Sequence, residues 1–206
     1  MLKLYYAPGT ISIAVAIALE EAGLTYEPIK VDFASAEQTK PKYLKLNPKG
    51  RVPALIAANG ATLTETGALL DYVASLTPDA GLLPETPEDI AHMRSVMYYL
   101  ASTFHDAHAH KMRGSRWADQ QSSHEDMTAK VPQTMAACAA FVQADCLTGD
   151  YVTGNRLSIA DPYLFVVCNW LEGDGVTLSD FPQIKAYLAR MEARDSVKAV
   201  RAKEML

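Results

Sequence analysis

The chain has 206 residues, 49% hydrophobic and 21% charged, which suits one large or two small soluble domains with a substantial core. Its formal net charge of -5 gives no basic footprint for nucleic acid or an acidic membrane. No apolar run approaches the length of a membrane span, and no long apolar leader precedes the first strand pattern. A cytoplasmic location is therefore expected. The cysteines (Cys138, Cys146 and Cys168) lack C-x-x-C spacing and read as small buried apolar thiols.

In chain order, Leu2 to Tyr6 reads as a strand punctuated by Pro8-Gly9. Ser12 to Ala22 carries apolar residues at helical spacing and stops at Gly23. Tyr26 to Asp32 is a second strand, followed by a polar loop and a short helix around Lys42 to Leu46. Strands at Pro53 to Ala57 and Ala61 to Thr64 and a helix over Glu65 to Leu76 complete a βαβαββα order. That order is the thioredoxin-like α/β arrangement, a mixed sheet flanked by helices. Thr77 to Glu88 holds three prolines and Gly81 and reads as a linker. Everything beyond it reads as an all-α bundle. Its helices are expected over Asp89 to Lys111, Glu125 to Cys146 with a kink at Pro132, Ser158 to Leu171, Phe181 to Ala193 and Asp195 to Lys203. The expected domains are 1–80 and 88–206. Ser158-Ile159-Ala160-Asp161 has capping-box spacing and is assigned to folding, with Ser158 as the cap and Asp161 bonding back.

Asn47-Pro48-Lys49-Gly50-Arg51-Val52-Pro53-Ala54-Leu55 carries the most specific chemistry. A turn delivers the chain into Val52-Pro53, the one kind of bond that readily becomes cis, just before an apolar strand. A bend there leaves the N–H and C=O of Val52 able to pair with an extended peptide-like ligand. Asn59-Gly60 reads as a hairpin turn. Thr64-Glu65-Thr66 then opens a helix, where backbone amides and a Thr hydroxyl suit a carboxylate and Glu65 suits an ammonium. Together these describe the γ-glutamyl-cysteinyl frame of glutathione. Taken singly, each piece also fits a plain trans edge residue or an ordinary helix cap.

The order of these pieces, behind Lys3-Leu4-Tyr5-Tyr6-Ala7-Pro8-Gly9 and ahead of Ser158 to Asp161, resembles the glutathione S-transferase superfamily. The N-terminus looks most like the bacterial beta class. The resemblance spans nearly the whole chain. It implies glutathione as co-substrate, bound by Val52, Pro53, Glu65, Thr66 and Lys49, with no metal. It also implies a homodimer and a second, apolar electrophilic substrate between the domains, beside residues such as Tyr98, Met112, Trp117 and Tyr163. The beta-class cysteine position, after Pro-Gly-x, is Ile11 here, so mixed-disulfide chemistry at that position is excluded.

Hydroxyl activation of the thiol remains. A thiol with a pKa of about 8.5 is only a few per cent ionised at neutral pH, and lowering it by about two units takes roughly 2.7 kcal/mol. A hydrogen bond to a charged acceptor supplies about 1.5–3 kcal/mol and a helix N-terminus about 0.3–1. One well-placed hydroxyl is nearly sufficient. Thr10, Ser12, Tyr5 and Tyr6 are the candidates, with Ser12 favoured and Tyr6 second, although Ser12 equally suits a helix N-cap. The resemblance places His105 facing the active site from the second domain, able to donate to the thiolate or act on the electrophile. Where the pattern next has a basic residue this chain has Asp106, which opposes a thiolate. His105 and His108 share a helix face and would permit a metal pair, but no third ligand is indicated. The leading reading is a glutathione transferase acting on apolar electrophiles. The alternatives are a glutathione-dependent isomerase, dehalogenase or lyase on the same fold, or a non-catalytic glutathione- or ligand-binding protein.

Overall fold

The computed structural model describes residues 1–206, which form two compact units: Met1–Pro84 with Glu192–Leu206, and Glu85–Met191. In the first, strands β1 (Leu2–Tyr6), β2 (Tyr26–Lys30), β3 (Ala54–Ile56) and β4 (Thr62–Thr64) form one sheet in the order β2-β1-β3-β4. β1 runs parallel to β2 and antiparallel to β3, and β3 runs antiparallel to β4. The expected mixed sheet is therefore present. The parallel pair needs a crossover, and α1 (Ser12–Glu21) supplies it. Every residue of α1 from Ser12 to Leu19 is buried, which is why its sequence is apolar all round rather than striped. α2 (Pro41–Leu44) precedes β3, and α3 (Thr66–Leu76) follows β4 and packs on α1.

The second unit holds α4 (Pro87–Tyr99), α5 (His105–Ala109), α6 (Gln121–Phe141), α7 (Ala160–Asn169) and α8 (Pro182–Glu192), the last ending at the unit boundary. α4 begins two residues before the expected Asp89. Thr86 caps it by accepting the Asp89 N–H at 3.1 Å, and Pro87 takes the first helical position, where a missing N–H costs nothing. The single helix expected over Asp89 to Lys111 contains a π-helical stretch, Leu100–Phe104, between α4 and α5. α6 also ends in a π-helical stretch, Val142–Cys146, and runs on through Pro132.

The compact second unit stops at Met191, short of the expected span 88–206. The chain beyond it, including α9 (Asp195–Ala202), belongs to the first unit, with α9 packed on α1. Both Arg194 Nε and a terminal nitrogen reach the Glu21 carboxylate, at 2.5 and 2.8 Å, and Ser196 Oγ donates to it at 2.5 Å.

Half of the expected box at Ser158 forms: Asp161 bonds back to the Ser158 amide, but the Ser158 hydroxyl is not the helix cap. The helix starts at Ala160, and the Ser158 hydroxyl caps no backbone N–H. It donates instead to Asp161 Oδ2 at 3.0 Å, and the Ser158 amide donates to the same oxygen at 2.7 Å. The Val152 amide donates to Asp161 Oδ1 at 2.9 Å, so one fully buried carboxylate ties the 152–158 loop to α7. Pro162 lies in the first turn of α7, where its missing N–H had no helical partner.

All three thiols are free and buried. Burial pushes the Cys146 thiol up to about 12 and the Cys168 thiol higher still, so neither supplies a thiolate at neutral pH.

Candidate active site

The first unit assembles its site from three turns. The turn 47–51 is pinned by Asn47, which is 1% exposed: its Nδ2 donates to the Arg51 carbonyl at 2.7 Å and its Oδ1 accepts the Lys49 amide at 3.2 Å. Tyr43 Oη donates to the same carbonyl at 2.8 Å, and its ring meets Tyr5 edge-on at 6.0 Å. Gly50 sits at φ +61, and a Cβ there would come within 3.1 Å of the Gln38 carbonyl oxygen, so glycine is required twice over. The Val52-Pro53 bond that follows is cis. Val52 lies two residues before the β3 ladder, and its N–H and C=O have no partner within the chain.

The second turn joins β4 to α3. Glu65 stands at φ +77, an unusual angle for a side-chain-bearing residue, immediately before the first helical residue, Thr66. Its carboxylate pairs with the Lys49 ammonium, which also donates to Thr64 Oγ1 at 2.8 Å. Thr66 is 7% exposed, and the opening amides of α3 lack intrahelical partners. The structure thus brings Lys49, Val52, Pro53, Glu65 and Thr66 onto adjacent turns of one unit.

The third turn, Ala7 to Ser12, links β1 to α1, and Ala7 shares an apolar cluster with Val52, Val31 and Tyr43. Its hydroxyls form a closed network. The Ala7 N–H donates to Ser12 Oγ at 3.2 Å, Ser12 Oγ and Thr10 Oγ1 lie 2.7 Å apart, and Thr10 Oγ1 donates to the Ala7 carbonyl at 2.8 Å. Ser12 has 0% exposure and is not a helix cap, since α1 carries no side-chain cap. Its hydroxyl is spent inside the loop and presents no surface to a ligand. Thr10 is only partly buried, one position before Ile11, and is the hydroxyl of the loop nearest solvent. Tyr6 is 8% exposed and packs as a strand-end residue. Residue type and helix position favour Ser12, and neither reports where a hydroxyl points.

In the second unit, the His105 ring lies 5.1 Å from the Trp170 ring, and the His108 ring stacks on the same indole at 4.1 Å. His108 Nδ1 bonds Asp174 Oδ2 at 2.6 Å, so its ring is committed to Asp174 and Trp170. Among the expected electrophile contacts, Tyr98, Met112 and Trp117 are exposed. Tyr163 is 3% exposed in α7 and belongs to the core, which corrects its placement on a substrate wall.

Residues 1–75 match the family described as glutathione S-transferase, N-terminal domain, and residues 105–204 match glutathione S-transferase, C-terminal domain. This chain belongs to the glutathione S-transferase family. A crystal structure of a glutathione transferase homolog from Sulfitobacter, with bound glutathione, superposes on this transferase with a TM-score of 0.99 at 66% identity, covering 100% of this chain and 99% of that one. Glutathione S-transferase GST-4.5 of Xanthomonas campestris is 33% identical over 204 residues, 96% of each chain. Maleylacetoacetate isomerase of Pseudomonas aeruginosa is 32% identical over 192 residues, 89% of this transferase and 88% of the relative.

Proposed function

We propose that this transferase binds reduced glutathione along Val52, Glu65 and Thr66 and conjugates its thiolate to an apolar electrophile. The thiolate sulfur attacks the electrophilic carbon, a C–S bond forms, and the leaving group departs with the bonding electron pair. The N–H and C=O of Val52 pair with the cysteinyl main chain, beside Pro53. The Thr66 hydroxyl and the α3 amides receive the γ-glutamyl carboxylate. Glu65 receives the ammonium, and Lys49 is released to the glycyl carboxylate. Glu65 carries this reading: its carboxylate already holds a primary ammonium, that of Lys49, beside the unpaired amides of a helix start.

For the thiol itself, the Thr10 hydroxyl turns its single proton from the Ala7 carbonyl, which it holds at 2.8 Å in the free protein, to the developing thiolate. Ser12 stands behind it and donates to Thr10 Oγ1, while the Ala7 amide fixes Ser12. Ser12 is then a positioning residue and Thr10 the group in contact. Tyr6 holds the strand end below the loop, and His105 is the candidate to act on the electrophile. The cysteine chemistry of the beta class is replaced by a hydroxyl. The similarity to an isomerase keeps a second reading open, in which thiolate addition is followed by expulsion of the same sulfur and the product is rearranged rather than conjugated.

Exchanging Glu65 for Gln tests the binding half. Losing the charged partner of an ammonium is worth about 1.5–3 kcal/mol, so the KM for glutathione is expected to rise roughly ten- to a hundred-fold. The kcat at saturating glutathione should stay within about two-fold, because the ammonium is remote from the reacting sulfur. An E65Q variant with unchanged KM would remove Glu65 from the site.

A further inference from the structure

We infer that Met205, turned inward by the left-handed residue Glu204, positions the Ala7–Ser12 loop for its work on the thiol. The inference rests on the glutathione reading above.

The sequence after α8 does more than close the fold. Its polar contacts fasten it to the far end of α1. Arg194 and Ser196 hold Glu21, and Lys203 pairs with Glu20, with its Nζ 4.9 Å from the Tyr26 ring centre. Tyr26 Oη donates to Glu20 at 2.9 Å, so this corner is cross-braced to β2. α9 then ends in a specific way. The Glu204 amide donates to the Arg201 carbonyl at 2.9 Å and the Met205 amide to the Val200 carbonyl at 3.1 Å. That pair of bonds is the Schellman arrangement, and it needs a left-handed residue, here Glu204 at φ +55. Glycine is the usual occupant, because a Cβ makes the conformation costly.

The turn drives Met205 into the first unit, where its side chain has 0% exposure. Its carbonyl accepts the Gly9 N–H at 2.9 Å. Gly9 stands at φ +67 at the apex of the β1–α1 loop, one residue before Thr10. A Cβ at Gly9 would meet nothing within 4 Å, so the backbone angle rather than crowding demands glycine there. The loop is thus gripped twice. The Thr10–Ser12–Ala7 hydroxyl network fixes it from within, and the Met205 carbonyl fixes its apex amide from outside. A hydrogen bond to a thiolate loses value steeply as its angle and length degrade, so a loop free to shift raises the thiol's pKa without removing any group that binds glutathione.

Two substitutions release the grip differently. Glu204→Pro cannot reach a positive φ and deletes the Glu204 N–H, so it undoes the turn. Met205→Ala keeps the backbone but empties the buried pocket, and Met205→Leu refills it. The pH profile of kcat/KM, measured with an activated aryl chloride, reports thiol ionisation in the enzyme, and calorimetry reports glutathione affinity. E204P and M205A are expected to move the ionisation midpoint up by about one unit and lower kcat/KM about ten-fold at neutral pH. Glutathione Kd should stay within about two-fold, and M205L should restore the wild-type midpoint. Folded variants with an unshifted midpoint would overturn the positioning role. The wild-type protein supplies an arm that needs no variant: the Gly9 amide should exchange with deuterium as slowly as the buried amides of α1, and fast exchange at Gly9 would contradict the grip. Failure of the wild type to bind glutathione at all would instead sink the functional reading, and the two failures are separately visible.

Discussion

Replacing Thr10 by Val should reduce kcat/KM about ten- to a hundred-fold while leaving glutathione affinity nearly unchanged. A hydrogen bond to a charged acceptor is worth about 1.5–3 kcal/mol, and in this site that bond is made to the thiolate rather than to the neutral thiol. Val keeps the volume and β-branching of Thr, so the loop keeps its shape. The Ser12 hydroxyl then loses its 2.7 Å partner but retains the Ala7 carbonyl, 3.3 Å away. Thr10→Ser should recover most of the activity. Ser12→Ala behaves differently. It leaves the buried Ala7 amide without an acceptor, so it should cost stability of about 1–3 kcal/mol and a smaller share of activity. Steady-state kinetics with thermal denaturation of the three variants separate the roles. A fully active T10V beside a folded, inactive S12A would reverse the assignment and make Ser12 the direct donor.

The second large effect is structural. Asp161→Ala should destabilise the protein by about 3–5 kcal/mol, because it orphans buried donors that nothing else can satisfy. The amides of Val152 and Ser158 and the Ser158 hydroxyl all converge on that one carboxylate. Tyr187 Oη donates to the Asp161 main-chain carbonyl at 2.7 Å and would keep its partner in the variant. Asp161 also carries an unusual pH signature. Burial pushes its carboxyl from 3.8 up to about 6, against the downward pull of its donors. A pKa raised on folding means that the folded state binds the extra proton. This group's contribution is therefore fully present below about 3.8 and lost as pH rises through about 6. The stability gap between wild type and D161A should consequently be wider at pH 4 than at pH 7, by about 2 kcal/mol. Chemical denaturation at the two pH values reads this directly, and a gap that narrows on acidification would contradict it.

Much of the architecture was legible because its physical causes are local. Gly9 and Gly23 punctuate the first strand and helix, and Asn59-Gly60 closes the β3–β4 hairpin within a few residues of sequence. The Val52-Pro53 turn was legible for the same reason, since only an X-Pro bond adopts cis readily. The return of α9 to the first unit was not legible. It depends on Glu21 meeting Arg194 and Ser196 across most of the chain, and amphipathic spacing says nothing about which surface a helix chooses. α7 misled differently. It is buried on every side from Ala160 to Cys168, so no stripe marks which side chains face a ligand, and Tyr163, expected on a substrate wall, lies in the core. In the Ala7–Ser12 loop the sequence offered several hydroxyls of equal chemistry. Only the hydrogen-bond geometry shows that Ser12 is enclosed and Thr10 stands nearer solvent.

Calorimetric titration of the wild-type protein with reduced glutathione at neutral pH decides whether the Val52, Glu65 and Thr66 turns form a glutathione site. Saturable binding at one site per chain is the predicted result. No heat of binding at millimolar glutathione would contradict it.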